Sequence, residues 1–315
     1  MKRLLLITLL LCTAVASAGE PVKVTNLARD FVTFWDATQD MAENERVAAF
    51  HRDVGSKFPA FYGLQRFGPK ATATERDRHI ASVIAGFGKW RQAYLAKIGQ
   101  FDAELPRHMA TFSRAFPDFQ LPVPLYLLHS LGEMDGGPRE LEGKHYLIFG
   151  ADMMTALHGN GNEAAFFHHE LFHIHHNVRA PECEGQGMWQ PLWREGLATY
   201  VSQALNPDAT ESEMLLTFPE GSLPKVKATL YASLAHLETV LDNSDDALYG
   251  PLFSTRRDNT GLAPRRGYYL GYLVAREIGK TRDLQTLASL DCQQARQLVV
   301  DTVHKLKQAA QSASN

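Results

Sequence analysis

Apolar residues along most of this chain recur at intervals of three and four, the spacing that gives a helix one buried face. The pattern is clear in Leu27–Phe34, Ile80–Phe87 and Trp90–Phe101, with few β-branched runs to interrupt it. From Val22 to about Phe119 it predicts mainly helix, punctuated by Pro59, Pro69, Pro106 and Pro117. The period then shortens. Val123–Leu128 and His145–Phe149 read as strands, with the turn-rich stretch Gly132–Pro138 between them. After Gly161 the helical spacing returns, over about 163–177, 191–205, 266–279 and 293–308. Signals are mixed between 207 and 265, with breaks at Asn206-Pro207, Pro219-Glu220-Gly221 and Asn259-Thr260-Gly261. No repeat, low-complexity tract or linker divides the chain. The pattern predicts a mostly helical α+β fold in one domain over 19–315, with 19–120 as a helical N-terminal part.

The extreme N-terminus follows a different logic. Lys2 and Arg3 precede an apolar run from Leu4 to Leu11, and Ala16-Ser17-Ala18 offers small residues at a cleavage point. Residues 1–18 therefore read as a secretory signal, too short for a stable membrane span, and the mature chain is expected in the periplasm or outside the cell. Cys12 would leave with the signal, so Cys183 and Cys292 remain as a pair. In an oxidising compartment they favour one disulfide closing a loop of about 109 residues, with two separate buried thiols as the alternative.

Composition adds exclusions and one anomaly. With 45% hydrophobic and 21% charged residues the chain is neither disordered nor fibrous. A net charge of −3 gives no electrostatic case for a nucleic-acid partner, and a mean hydropathy of −0.23 speaks against a multi-span membrane protein. Histidine is the anomaly: of 13 in the chain, five fall between positions 168 and 176.

Within Phe166–His176 that cluster contains one His-Glu-x-x-His, at 169–173. On a helix, residues four apart share a face, so His169 and His173 can meet one tetrahedral Zn²⁺, expected at one ion per chain. Zinc lowers the pKa of a water in its open position to about 7. Glu170 follows the first ligand directly and can take that water's proton as general base without ligating. Phe166, Phe167, Leu171, Phe172 and Ile174 supply the apolar surroundings a buried helix needs. His176 shares the face but lies a turn further on, where joining the same ion would strain a regular helix. His168 points away from it. These two and His175 are read as supporting or solvated residues, not ligands.

A catalytic zinc site needs a third protein ligand and leaves a fourth position to water. The metzincin pattern would place Gly at 176 and His at 179; His176 and Arg179 stand there instead. Further on, Pro191 can open a helix whose apolar face carries Trp193, Leu197 and Tyr200. Glu195 on that helix completes a His₂Glu set with His169 and His173.

At these residues the chain resembles the gluzincin clan of zinc peptidases, in which His-Glu-x-x-His is followed by a helix carrying Glu-Gly-x-Ala-x-Tyr. Leu192–Tyr200 is similar to that helix. The chain also resembles bacterial predicted Zn-dependent proteases that share Glu-Gly-Leu-Ala-Thr-Tyr and a later Gly-Tyr-Tyr-x-Gly-Tyr, here Gly267–Tyr272, and more distantly the alanyl aminopeptidase-like enzymes. The matches span about residues 145–280. The resemblance implies a gluzincin-like core with a small sheet beside the zinc helix, making 121–315 the zinc-binding catalytic part. It implies His169, His173 and Glu195 as metal ligands and Glu170 as general base. A tyrosine three residues before a helical glycine would stabilise the oxyanion; that spacing selects Tyr268, with Tyr269 as second candidate.

Two departures from the resemblance bear on specificity. Aminopeptidases of the clan carry Gly-x-Met-Glu-Asn before the zinc helix, whose Glu holds the substrate's free amine. Here Phe149-Gly150-Ala151-Asp152-Met153-Met154 stands, leaving Asp152 as the candidate for an amine and internal cleavage at least as well supported. Thr199 stands four after Glu195, where thermolysin-like members place an Asp that orients a ligand histidine; its hydroxyl is expected to take part of that role. The strand His145–Phe149 is expected to be the edge on which an extended peptide pairs. The expected activity is that of an exported zinc-dependent peptidase acting on peptide or protein. A non-catalytic metal-buffering protein using the whole histidine cluster, and a zinc hydrolase of a non-peptide substrate, are the alternatives.

Overall fold

A computed structural model describes residues 22–180, 183 and 187–314; the expected signal, residues 1–18, lies outside them. The chain opens with a short strand, β1 (Val24–Asn26), and continues into helices α1 (Leu27–Ala37), α2 (Glu43–Asp53), α3 (Pro59–Tyr62), α4 (Ala73–Phe87) and α5 (Arg91–Ala115). Local chemistry sets several starts. Thr72 accepts from the Glu75 backbone N–H at 3.2 Å while the Glu75 carboxylate accepts from the Thr72 N–H at 2.8 Å, a reciprocal cap on α4. Pro59 occupies the first turn of α3, where its missing N–H has no helical partner to lose.

Pro106 does not break the helix as the sequence suggests. α5 runs through it, because the gap left by one missing N–H is outweighed by burial of Tyr94, Ile98, Phe101, Leu105 and Phe112 along the same face.

Strands β2 (Leu125–Leu128), β3 (Gly136–Leu141) and β4 (Lys144–Gly150) join β1 in a four-stranded sheet of order β1-β2-β4-β3. β1, β2 and β4 run parallel; β3 pairs antiparallel with β4, Gly136 opposite Phe149 and Leu141 opposite Lys144. Two expectations change here. The stretch read as a turn supplies the first half of β3, since Gly136-Gly137-Pro138 has low strand propensity and forms a strand only by pairing with β4. In consequence the strand over 145–149 lies inside the sheet, and β3 is the edge on that side. The N-terminal part is also not purely helical, because β1 extends the same sheet.

The second half is helical: α6 (Ala151–His158), α7 (Ala164–Arg179), α8 (Trp189–Leu205), α9 (Ser222–Ala228), α10 (Leu230–Val240), α11 (Tyr249–Phe253), α12 (Arg266–Gly279), α13 (Leu284–Ala288) and α14 (Cys292–Ser314). The four helices read from periodicity after Gly161 are α7, α8, α12 and α14. One continuous core runs from Leu27 to Val303. Phe101 of α5, Phe149 of β4 and Phe167 of α7 form its middle, with ring centroids 5.2–5.5 Å apart. Lys97 and Glu163, both buried, pair at 2.8 Å and tie α5 to the start of α7. Cys183 and Cys292 form the expected disulfide, joining the α7–α8 connection to the start of α14. Among the described residues no helix is long and apolar enough to cross a membrane.

Candidate metal centre

Three helices assemble the site. On α7, Phe166, Phe167, Leu171, Phe172 and Ile174 are all buried, and they orient the helix so that His169 and His173 face α8. On α8, Glu195 faces them, and its neighbour Gly196 packs directly on the backbone of Gly271 in α12. A Cβ on Gly271 would stand 2.5 Å from the Leu192 carbonyl and 2.9 Å from the Gly196 Cα, so α8 and α12 touch backbone to backbone. Tyr268, one turn before Gly271, is thereby brought beside His169, their ring centroids 6.4 Å apart.

The donor atoms of the three expected ligands form a compact triangle. His173 Nε2 lies 3.0 Å from His169 Nε2, His169 Nε2 lies 3.3 Å from Glu195 Oε2, and His173 Nε2 lies 3.4 Å from the same oxygen. A tetrahedral ion with bonds of about 2.0–2.1 Å has ligand–ligand edges of about 3.3–3.4 Å. Two imidazoles and a carboxylate at this spacing fit zinc, and this triad meets the geometric requirement for holding a metal ion. The ligand side chains keep 14%, 9% and 18% of their surface exposed for His169, His173 and Glu195, enough for a small molecule to reach them.

The electrostatics of the two glutamates differ. Burial pushes the Glu195 carboxyl up, but the adjacent imidazoles of His173 and His169 outweigh it and hold the group well below the carboxylate range. Glu170 has no such partner. Burial, with Asp135 and Glu195 adding and His169 opposing, lifts it to about 7, a range suited to exchanging protons near neutrality. Its Oε2 lies against β3: a Cβ on Gly137 would come within 3.3 Å of it, and Gly137, at φ +140°, provides the room.

Of the two candidate tyrosines, only Tyr268 reaches this centre. Burial pushes its phenol well above the ordinary value, with Glu195 adding to the effect, so the group is a hydrogen-bond donor at neutral pH. Tyr269 instead meets Lys227 and Tyr272 on another side of α12. The other three clustered histidines are all buried, which removes the solvated alternative and leaves them as supporting residues. Asn206 donates to His168 Nδ1 at 2.7 Å and His168 Nε2 lies 3.2 Å from the His108 carbonyl, so both ring nitrogens are used in packing α7. His175 sits among Phe112, Phe116, Phe119 and Phe172. His176 stacks on Phe172.

Two further assignments change. Asp152 is buried at the start of α6 and accepts from Ser130 N, Ser130 Oγ and Gly132 N at 2.6–2.9 Å, so its oxygens brace the loop after β2 rather than face a substrate. Thr199 donates to the Glu195 carbonyl of its own helix at 2.8 Å, not to a histidine. In their place the structure adds residues with no motif to announce them. Asp135 and Arg265 line the same pocket as His169, Glu170 and Tyr268. Burial raises the Asp135 carboxyl, but His158 at 3.0 Å outweighs it and keeps it ionised. An acidic residue in a glycine-rich turn before an edge strand is too common a pattern to single out. Comparison with protein-family models, with curated proteins and with solved structures finds no match to this chain.

Proposed function

We propose that this protein is a zinc-dependent hydrolase of peptide bonds, built on a gluzincin-like core and exported to an oxidising compartment. The observation that carries the reading is the triangle of His169, His173 and Glu195, with its 3.0–3.4 Å edges and Glu170 alongside. Bound there, zinc would supply Lewis acidity and a water ionisable near neutral pH. Glu170, held in a water-poor recess, takes a proton from the attacking water and returns it to the leaving amine. Tyr268 directs its phenol toward the carbonyl oxygen as negative charge develops there. The outer edge of β3, against which Glu170 rests, suits an extended peptide that pairs through its backbone. The Cys183–Cys292 bond supports export, because such bonds persist in oxidising compartments.

Metal buffering is less well supported. It needs several ions per chain, and His168, His175 and His176 are all buried, with both ring nitrogens of His168 already engaged. Two measurements test the proposal. Native mass spectrometry should count one zinc per chain. Glu170→Gln should keep that zinc and abolish hydrolysis in a peptide library screened beside ester and amide substrates. A variant that cleaves as well as the wild type would overturn the mechanism, and turnover confined to esters or amides would move the substrate class.

A further inference from the structure

The start of α12 carries two consecutive arginines, and they do different work. Arg266 is fully buried and donates to the Ala263 carbonyl at 3.0 Å and to Asp258 at 2.8 Å, anchoring the loop before the helix. Arg265 faces the metal centre. Its backbone is left-handed at φ +59°, as is that of Leu215 at φ +53°, a region that residues other than glycine avoid. The two positions are joined directly: Arg265 Nη1 donates to the Leu215 carbonyl at 2.6 Å and to the Phe218 carbonyl at 3.3 Å. The Cζ of the same guanidinium lies over the Tyr268 ring, 3.9 Å from its centre. Leu215, Arg265 and Tyr268 wall one pocket with His169 and Glu170.

A planar guanidinium can donate from its edge and stack through its face at the same time; an ammonium group can donate or sit over a ring, but it has no planar fork with which to do both in one fixed geometry. We propose that Arg265 is the positioning residue of this site: its edge holds the 215–218 segment over the cleft, and its face holds the Tyr268 ring where the phenol meets the reacting carbonyl. The catalytic consequence rests on the hydrolase reading above; the stack itself does not. Among the described residues Arg265 makes no hydrogen bond or ion pair to the ligand triad; its effect on turnover runs through Tyr268, with the 215–218 carbonyls holding the guanidinium in place.

The test is a double-mutant cycle on R265K, Y268F and the combined variant, with R266K as a purely structural control. Lysine tolerates φ +59° no better or worse than arginine, so R265K removes the fork and the stack while leaving backbone strain and charge in place. Y268F should lower kcat by about 10²–10³-fold. R265K should lower it about 10–100-fold with one zinc per chain retained, and the combined variant should fall within about threefold of Y268F. Losses that multiply would overturn the proposal, as would a Y268F enzyme with full activity. A readout independent of turnover is the NMR spectrum of protein labelled with ¹³C in tyrosine rings. The Tyr268 signal, identified by its absence in Y268F, should move in R265K and stay in place in R266K. An unmoved signal in R265K refutes the stack. Should the wild type cleave nothing, the hydrolase reading fails, and the NMR result alone keeps or overturns the Arg265–Tyr268 pairing.

Discussion

The contact between Gly196 and Gly271 is the point where packing and chemistry meet, and Gly271→Ala tests it most sharply. The added Cβ would stand 2.5 Å from the Leu192 carbonyl, where ordinary contact begins at 3.4 Å. A backbone carbonyl inside a helix cannot turn aside, so α8 and α12 must separate by about 1 Å. Two effects oppose each other. Alanine improves helix propensity by about 1 kcal/mol over glycine, while forcing an extra methyl into a filled contact costs about 1–3 kcal/mol. The net expectation is a loss of about 0–2 kcal/mol in urea unfolding. Gly99→Ala is the control, since Gly99 lies within α5 with nothing inside 4 Å of an added Cβ; it should stabilise by about 0.5–1 kcal/mol. Displacement of Tyr268 and Glu195 by about 1 Å should also cost turnover about a hundredfold and weaken zinc binding about tenfold or more. If Gly271→Ala gains stability as Gly99→Ala does and keeps its activity, the helix contact is not what sets the site.

Other expectations follow from the same geometry. Tyr268→Phe should reduce kcat by about 10²-fold or more while Tyr269→Phe changes it less than about threefold; equal losses in steady-state assays would contradict the placement of the two rings. Burial holds His168 at about 4, below its ordinary 6.5, so the neutral form is the one that packs. A depressed folded-state pKa contributes stability above 6.5 that is lost as pH falls toward 4, amounting to about 2 kcal/mol by pH 5 for this residue alone. Urea midpoints of the metal-free protein should therefore decline between pH 7 and 4.5, and a flat profile would refute the burial argument. Replacing Cys183 and Cys292 together by alanine opens a 109-residue loop and should cost about 2–5 kcal/mol; calorimetry showing no drop would mean that the bond constrains little in the unfolded chain.

Much of this is legible in the amino-acid sequence. The His169–His173 pair needs only helical geometry, and α7 has the apolar residues to be a helix, so spacing alone brought two donors together. Four helices after Gly161 followed from periodicity, and cysteine arithmetic favoured the pairing of Cys183 with Cys292 while leaving two separate buried thiols open. Glu195 was legible as a candidate because its helix could be recognised, although its distance from the histidines could not.

What tertiary structure decided lies in contacts between elements far apart in the chain. Whether Tyr268 or Tyr269 meets the centre depends on how α12 is rotated against α8, and Gly196 on Gly271 settles that. Which strand forms the sheet's edge depended on β3, whose Gly136-Gly137-Pro138 acquires strand geometry only beside β4. The extra histidines read as supporting or solvated because polarity was the only clue; Phe112 of α5, Phe116 just after it and Asn206 just after α8 help to bury His168 and His175. A four-residue helical spacing is set by bonds within one turn and can be read from letters. The meeting of His169, Glu195, Tyr268 and Arg265 depends on three helices packing at one angle, which the core and two glycines determine together.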